Sequence, residues 1–264
     1  MKIISLASGS RGNCTYLYIN TKHILIDVGI SMKQINHRLL IHVGVDLDDI
    51  DTIFITHAHS DHIKSIPVIN KNYPHIKFII PHKAIKDITA KLKYHIPSEC
   101  KVLIDKRIDG KAFNVTPKHI NHDEFTYAYI FKDLSNNETY AHIPDNGGLS
   151  YKRFDEFKDM TYYSIESNHD LTMQIFDTKR NPLLKRRVLG YYGHQDNVSA
   201  IKFAIECVGS NTKGIIFTHL SEDCNDPQIA KDTHLLWLEI FGEKTKFKNI
   251  IMRYATQNDV VTLL

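Results

Sequence analysis

Apolar positions along the chain form short β-branched runs that alternate with segments of helical spacing. The first part of the chain predicts three short strands, separated by turn residues, at positions 3–7, 15–19 and 23–27. Over residues 31–43, apolar side chains recur at four-residue spacing behind Ser31, a pattern typical of an amphipathic helix with a serine cap. Strands and a helix so close together indicate a mixed α/β protein.

The same alternation continues through the rest of the chain. Further strands are predicted at 52–55, 77–80, 112–116, 139–143, 214–217, 249–252 and 260–263, and further helices at 61–72, 81–95, 197–208 and 226–241. Residues 101–165 have a mainly β pattern. Residues 170–192 are the least regular stretch, and we interpret them as an insertion that borders the active site or mediates contacts. No internal repeat or low-complexity linker divides the chain, so one domain is predicted over residues 1–264.

The composition is that of an ordinary globular protein. The chain has 264 residues, which is long enough to bury a sizeable core. Of these residues, 42% are hydrophobic and 24% are charged. No stretch reaches about 18 consecutive apolar residues, and the first ten residues begin as a strand rather than as a secretory signal. A cytoplasmic protein that does not bind membranes is therefore expected. The four cysteines contain no Cys-x-x-Cys pair and are expected to be reduced and structural; they are Cys14, Cys100, Cys207 and Cys224.

The charge of the chain is only mildly basic. Its net charge is +3 and its pI is about 8.5, lower than is usual for a dedicated nucleic-acid-binding domain. Local charge is more informative, because five cations crowd one segment: Lys179, Arg180, Lys185, Arg186 and Arg187. This cluster would suit a phosphate-rich ligand, and a solvated run of charges is the alternative.

The densest chemistry lies in residues 52–62, TIFITHAHSDH, where a β-branched run ends in three histidines and an aspartate. Imidazole nitrogens and carboxylate oxygens are ligands that suit zinc and neighbouring divalent metals. Because four ligands in six residues can hardly converge on one ion, we interpret them as two pairs. His57 and His59 project from the same side of an extended segment. Asp61 and His62 follow where a helix begins, and can serve a second metal.

The motif THAHSDH resembles the signature of the metallo-β-lactamase fold superfamily of binuclear metallohydrolases. That resemblance implies a four-layer αββα sandwich and three later ligands, each directly after a predicted strand: His122, Asp145 and His219. It also implies two ligand sets that share Asp145 as a bridge. One set is His57, His59, His122 and Asp145, and the other is Asp61, His62, Asp145 and His219. Zinc and manganese are the expected metals, and iron is also compatible.

Five further segments are similar to the YycJ/WalJ group of cytoplasmic metallo-β-lactamase-fold proteins. They are SLASGSRGNC (5–14), ILIDVG (24–29), ESNHD (166–170), GHQDN (193–197) and THLSEDCNDPQIA (218–230). The resemblance implies a metal-dependent phosphodiesterase with 5′→3′ DNA exonuclease activity. The chain departs from the group where GHQDN replaces GHLSN and where Arg11 replaces a small residue. These departures concern substrate contacts more than metal ligands.

Roles for individual residues follow from this assignment. Two divalent ions can polarise a phosphoryl oxygen and provide a metal-activated hydroxide, which Asp61 could orient. His194 and His169 are the candidate general acids. Five residues are expected to bind substrate: Ser8, Ser10, Arg11, Asn13 and Asn168. Asp27 is expected to support the ligand histidines rather than to bind metal itself.

Several functions remain open at this point. A nuclease or phosphodiesterase acting on DNA is the leading hypothesis, and a hydrolase of cyclic nucleotides is the second. A thioester hydrolase of the glyoxalase II type is less favoured, because no separate C-terminal helical substrate domain is evident. An inactive binding module is disfavoured by the complete ligand set. The sequence leaves the oligomeric state open, with a homodimer as one candidate.

Overall fold

The computed structural model describes residues 1–148 and 151–263 and contains two mixed β-sheets. The first sheet has the strand order β14-β1-β2-β3-β4-β5-β6. Its strands are β1 (Lys2–Ala7), β2 (Cys14–Ile19), β3 (Lys22–Ile26), β4 (Thr52–Phe54), β5 (Lys77–Pro81), β6 (Lys101–Ile104) and β14 (Val261–Thr262). Strands β3 to β6 run parallel, so their carboxyl ends lie at one edge of the sheet.

The second sheet has the order β13-β12-β11-β10-β9-β8-β7. Its strands are β7 (Ile108–Asp109), β8 (Phe113–Ile120), β9 (Thr126–Asp133), β10 (Thr139–Ile143), β11 (Tyr162–Glu166), β12 (Gly214–Thr218) and β13 (Ile251–Tyr254). Strands β10 to β13 are parallel, and β8 runs in the same direction because it is antiparallel to β9, which is itself antiparallel to β10. The loops that follow β8, β10, β11 and β12 therefore share one edge.

The α-helices are α1 (Met32–His42), α2 (Ser60–Ile63), α3 (Ile66–Asn72), α4 (Ile85–Leu92), α5 (Leu171–Phe176), α6 (Pro182–Val188), α7 (Asn197–Cys207), α8 (Pro227–Ile240) and α9 (Lys244–Phe247). Short 3₁₀ segments occur at Leu47–Asp49, His82–Ala84, Ser98–Cys100 and Tyr151–Phe157. Helix α1 begins as predicted, because the Ser31 hydroxyl accepts from the Gln34 amide while the Gln34 side chain accepts from the Ser31 amide.

Three apolar clusters define the layers of the fold. One lies between the two sheets and includes Leu17 and Ile26 from the first sheet and Tyr129 and Tyr140 from the second. A second cluster joins the first sheet to helices α1 to α4, and a third joins the second sheet to α7 and α8. The Tyr129 hydroxyl also links the sheets by donating to the Ile55 carbonyl at 2.7 Å. The predicted four-layer αββα sandwich is confirmed.

Most predicted elements are present, with small changes in their ends. The predicted helix 61–72 is wrong as a single helix: it is interrupted at Ser65, whose hydroxyl donates to the Ile30 carbonyl at 2.6 Å and ties the chain to the loop after β3. The predicted helix 81–95 is shortened to a 3₁₀ turn and α4. The predicted strand 112–116 is the start of the longer β8.

Residues 170–192 are more regular than predicted, because they contain α5 and α6. Asp170 caps α5 and Asn181 caps α6 through side-chain oxygens, and Pro182 suits the first turn. All four cysteines are buried and free, as expected. Among the described residues, no helix is both long and apolar enough to cross a bilayer.

Candidate metal centre

The structure brings all seven predicted ligand residues together at the shared edge of the two sheets. His57, His59, Asp61 and His62 follow β4, and the others follow β8, β10 and β12. They form the two predicted groups, His57–His59–His122–Asp145 and Asp61–His62–Asp145–His219. Within each group, one ligand-type atom per residue lies within 4.8 Å of every other. Asp145 belongs to both groups, which is the arrangement a bridging ligand requires.

Hydrogen bonds on the outer ring nitrogens orient the first group. The His122 Nδ1–H donates to the Gly193 carbonyl at 3.0 Å, so Nε2 is the nitrogen that remains for a metal. The His59 ring is turned the other way, since its Nε2–H donates to Asp123 Oδ1 at 3.1 Å and leaves Nδ1 free. That free Nδ1 lies 3.2 Å from His122 Nε2, so the two candidate ligand atoms face each other.

Asp27 fixes the tautomers of two histidines at once. It accepts from His62 Nδ1–H at 2.7 Å and from the Thr56 hydroxyl at 2.8 Å, both through Oδ2. Because the Thr56 hydroxyl uses its proton on Asp27, its oxygen accepts from His57 Nδ1–H at 3.0 Å. Both histidines therefore direct Nε2 to the interior of the site. Asp27 therefore hydrogen-bonds to a ligand histidine from outside the two ligand groups, the supporting position that was predicted.

His219 is held in an uncommon backbone conformation. Its φ is 58°, in the left-handed region that non-glycine residues rarely adopt, and its backbone amide donates to the Ser8 hydroxyl at 2.7 Å. The ring Nδ1–H lies 2.9 Å from Glu166 Oε1 and 3.0 Å from Asp145 Oδ1. Strained backbone of this kind persists where the surroundings over-determine it, and it is frequent at functional sites.

The electrostatics of the cluster favour cations. Burial opposes ionisation of Asp145, but His219 and His62 outweigh it and hold the pKa of Asp145 well below its usual range. Burial also opposes the charged form of His219, but Asp145, Asp61 and Glu166 raise the pKa of His219 to about 10. For His57, burial and the neighbouring His62 lower the pKa well below its usual range, so its ring is neutral. The ionised carboxylates and the neutral His57 ring are in the forms that bind metals, whereas His219 would have to lose its proton when a metal binds.

Two ring nitrogens in the cluster are buried without a hydrogen-bond partner among the described residues. They are Nε2 of His57 and Nε2 of His219, one from each group. A buried nitrogen without a hydrogen-bond partner costs free energy, and a metal ion bound at each group would provide the missing partner. The residues present therefore fit divalent ions, and they are positioned to bind them.

Glu166 is a site residue that the sequence interpretation missed. It ends β11, is fully buried, and accepts from His194 Nδ1–H at 2.7 Å through Oε1. Its other oxygen accepts the Asn146 amide at 2.7 Å and the Gln195 amide at 3.1 Å. Burial opposes its ionisation, but His194 prevails and lowers the pKa of Glu166. The available signal was a carboxylate that ends the otherwise uncharged strand YYSIE.

The two predicted general acids have different positions. His194 lies beside both groups, with its ring centroid 5.2 Å from those of His122 and His219, and it lines the metal pocket. His169 is buried, and its Nδ1 has no hydrogen-bond partner among the described residues. It does not line the metal pocket. Its predicted role stays a prediction.

The predicted substrate-binding residues divide into two kinds. Ser8, Asn13 and Asn168 are buried and contact metal-type ligands. Asn13 Nδ2 donates to Asp61 Oδ2 at 3.2 Å, and Asn168 Nδ2 donates to the His219 carbonyl at 2.9 Å. Ser10 and Arg11 instead line a cavity beside the site, where Arg11 pairs with Glu222 at 2.6 Å.

The five cations of residues 179–187 are also divided. The Arg180 guanidinium is bound at 2.7 Å to both the Gln174 side chain and the Ser221 hydroxyl. Lys185 donates to the carbonyls of Ile175 and Asp177, so it stabilises the end of α5. Three of the five cations line the cavity beside the site, namely Lys179, Arg180 and Arg187, whereas Lys185 and Arg186 do not. The cluster is not one uniform phosphate-binding surface.

Comparison with known proteins agrees with this geometry. A sequence model of the metallo-beta-lactamase superfamily matches residues 7–99. The exodeoxyribonuclease YycJ of Bacillus anthracis is 31% identical over 233 residues, covering 86% of this chain and 84% of that protein. The chain belongs to the YycJ/WalJ group of the metallo-β-lactamase superfamily.

A second member of the YycJ/WalJ group, exodeoxyribonuclease WalJ of Streptococcus pneumoniae serotype 2, is 29% identical over 236 residues, covering 86% of this chain and 84% of that protein. Among solved structures, the metallo-beta-lactamase fold protein YhfI of Bacillus subtilis superposes with a TM-score of 0.67 at 16% identity, over 99% of this chain and 100% of that one. At that identity the likeness concerns the fold. The predicted superfamily and the narrower group are both confirmed.

Proposed function

We propose that this protein is a metal-dependent phosphodiesterase, an exodeoxyribonuclease that uses two divalent ions, zinc or manganese. The observation that carries the proposal is the pair of four-residue ligand groups that share the buried Asp145. The proposal agrees with the exodeoxyribonuclease names of the YycJ and WalJ relatives.

The ligand assignment follows the two groups. His57, His59 and His122 would hold one ion, Asp61, His62 and His219 would hold the other, and Asp145 would bridge them. When bound, two such ions polarise a phosphodiester and make water a nucleophile at neutral pH. Asn13 donates to Asp61 at 3.2 Å, so the Asp61 carboxylate is oriented independently of any ion.

His194 has the surroundings of a general acid. Glu166 accepts its Nδ1–H at 2.7 Å, which fixes the ring and leaves Nε2 for the substrate. A histidine held in this way is positioned to give a proton to a leaving oxygen. His194 therefore acts as the proton donor in this proposal, and Glu166 acts as its positioning residue.

A substrate and metal screen tests the proposal. The metal-loaded protein should hydrolyse DNA in preference to RNA, a cyclic nucleotide or a thioester, and elemental analysis should find two ions per chain. Preferred cleavage of the cyclic nucleotide would support the second hypothesis of the sequence analysis instead. One ion per chain, or no metal at the two groups in anomalous scattering, would refute the ligand assignment.

The variant Asp61→Ala should abolish DNA hydrolysis, because it removes a ligand and a water-orienting carboxylate without altering the core. Asp155→Ala is the matched control, since Asp155 is 76% exposed and pairs only with the nearby Lys158 among the described residues. Activity of Asp61→Ala within tenfold of the wild type, with both ions retained, would contradict the proposed role.

A further inference from the structure

A second cavity opens beside the metal pocket. The metal pocket has a volume of about 390 Å³, and the second cavity, here called the side cavity, has a volume of about 600 Å³. The two share Ser10, Arg187 and His194 in their walls, so they are adjacent. A volume of this size lies within the range of small-ligand sites, and it can accommodate a nucleotide.

Two cations in the side cavity are available to an anion. Arg11 and Arg180 also line it, but each already has an acidic partner, Glu222 at 2.6 Å and Asp223 at 3.4 Å respectively. In contrast, the Lys179 ammonium makes no ion pair or hydrogen bond within the described part of the chain.

Arg187 is the second available cation. Its side chain is 53% exposed, and its only ion pair among the described residues is a contact of 3.6 Å between its Nε and Asp123. An unpaired lysine and a weakly paired arginine that line one cavity suit a phosphate group.

The position of His194 indicates which part of the substrate the side cavity would hold. His194 lines both cavities and its Nδ1 lies 3.9 Å from Asp145 Oδ2, whereas Lys179 lines the side cavity alone. A general acid must contact the leaving oxygen. This inference rests on the proposed function, in which His194 is the proton donor. The leaving group must then contact His194, and the side cavity is the space beside His194 that can hold it.

We propose that the side cavity is the subsite for the leaving nucleotide, and that Lys179, which lines the side cavity but not the metal pocket, binds its phosphate together with Arg187 from the shared wall. Water forms a new bond to phosphorus, and the bond from phosphorus to the 3′ oxygen of the terminal nucleotide breaks. His194 gives that oxygen a proton and regains one from solvent, while the attacking water releases one. The terminal nucleotide leaves with its own 5′-phosphate, and the next nucleotide becomes the new phosphorylated end. The enzyme then selects 5′-phosphorylated ends and releases one mononucleotide at a time.

The test compares two DNA strands that differ only in having a 5′-phosphate or a 5′-hydroxyl. The wild type should prefer the phosphorylated strand by at least tenfold in kcat/KM and should release mononucleotides. Lys179→Ala should reduce that ratio to near one, and Lys179→Arg should restore part of it. Because the reading is a ratio, a general loss of activity does not affect it. Arg186→Ala is the matched control, since Arg186 is an exposed cation of α6 outside both cavities.

A binding measurement makes the result independent of DNA cleavage. Deoxyadenosine 5′-monophosphate should bind the wild type more tightly than deoxyadenosine does, and Lys179→Ala should abolish the difference. No preference for the phosphorylated strand, or an unchanged ratio in Lys179→Ala, would overturn the subsite. Failure to cleave either strand would instead refute the proposed function, and the nucleotide titration would still decide whether the side cavity binds phosphate.

Discussion

Replacing Asp27 by Asn tests whether one carboxylate sets the protonation of two ligand histidines. Asp27 has a φ of 61°, a conformation that Asn also tolerates, so the backbone should be preserved. The new amide, however, keeps only one oxygen. If that oxygen replaces Oδ2, the NH2 group faces the Thr56 backbone amide, which lies 2.8 Å from Asp27 Oδ1. Otherwise the NH2 group faces the donors of His62 and Thr56, which lie 2.7 and 2.8 Å from Asp27 Oδ2. His62 would then have to accept at Nδ1 and carry its proton on Nε2, the nitrogen a metal needs.

The expected magnitude follows from burial. Asp27 and His62 are each only 2% exposed, so solvent cannot replace the lost contact. A hydrogen bond to a charged group contributes about 1.5–3 kcal/mol, which corresponds to roughly 10–150-fold in a binding constant. Loss of a residue that orients a metal ligand typically weakens metal binding about 10–100-fold. We therefore expect a 10–100-fold loss at the Asp61–His62–Asp145–His219 group. A smaller loss is expected at the other group, which Asp27 reaches only through Thr56.

A competition titration against a chromophoric chelator measures both affinities, and urea unfolding of the metal-free protein separates binding from folding. Asp51→Asn is the matched control, because Asp51 pairs with Lys22 at 2.6 Å and is outside both ligand groups. Two affinities equal to those of the wild type, in a variant that folds normally, would refute the tautomer argument.

Three further predictions concern other parts of the fold. Gly29→Ala places a Cβ 1.5 Å from the Asp61 carbonyl oxygen, so the loop must shift. We expect the free energy of unfolding in urea to fall by about 1–3 kcal/mol and metal binding to weaken. An unchanged chelator titration would contradict this. Tyr163→Phe leaves the Phe157 carbonyl without its 2.7 Å donor, and should cost about 1–3 kcal/mol in the same unfolding measurement; a neutral effect would argue against that bond. Burial lowers the pKa of His234 to about 3, so the unfolded chain binds the proton more readily, and stability is lost as pH falls below about 6.5. His234→Gln should remove about 2 kcal/mol of the destabilisation between pH 6.5 and 5, and parallel curves of unfolding free energy against pH for the two proteins would be inconsistent with it.

Local features of the chain were predictable from neighbouring residues. The serine cap of α1 depends on Ser31 and Gln34, which are three positions apart, and the strand before His57 is evident from its β-branched residues. The order of the metal-type residues along the chain also carried the superfamily assignment and the αββα architecture. The predicted helix 61–72 failed because its interruption depends on a distant contact, from Ser65 to the loop after β3.

The rest was decided only by tertiary structure. Glu166 and His194 are 28 positions apart, and the 2.7 Å bond between them exists because β11 delivers one residue to the edge where the loop after α6 delivers the other. Similarly, Lys179 and Arg180 are indistinguishable as neighbouring cations in sequence. One faces an open cavity, whereas the other is bound at 2.7 Å to Ser221, which lies 41 positions away. Residue type and order are local properties, but the partner that a charge finds depends on how distant segments pack. Packing therefore determined which side chains line the site and which stabilise the residues around it.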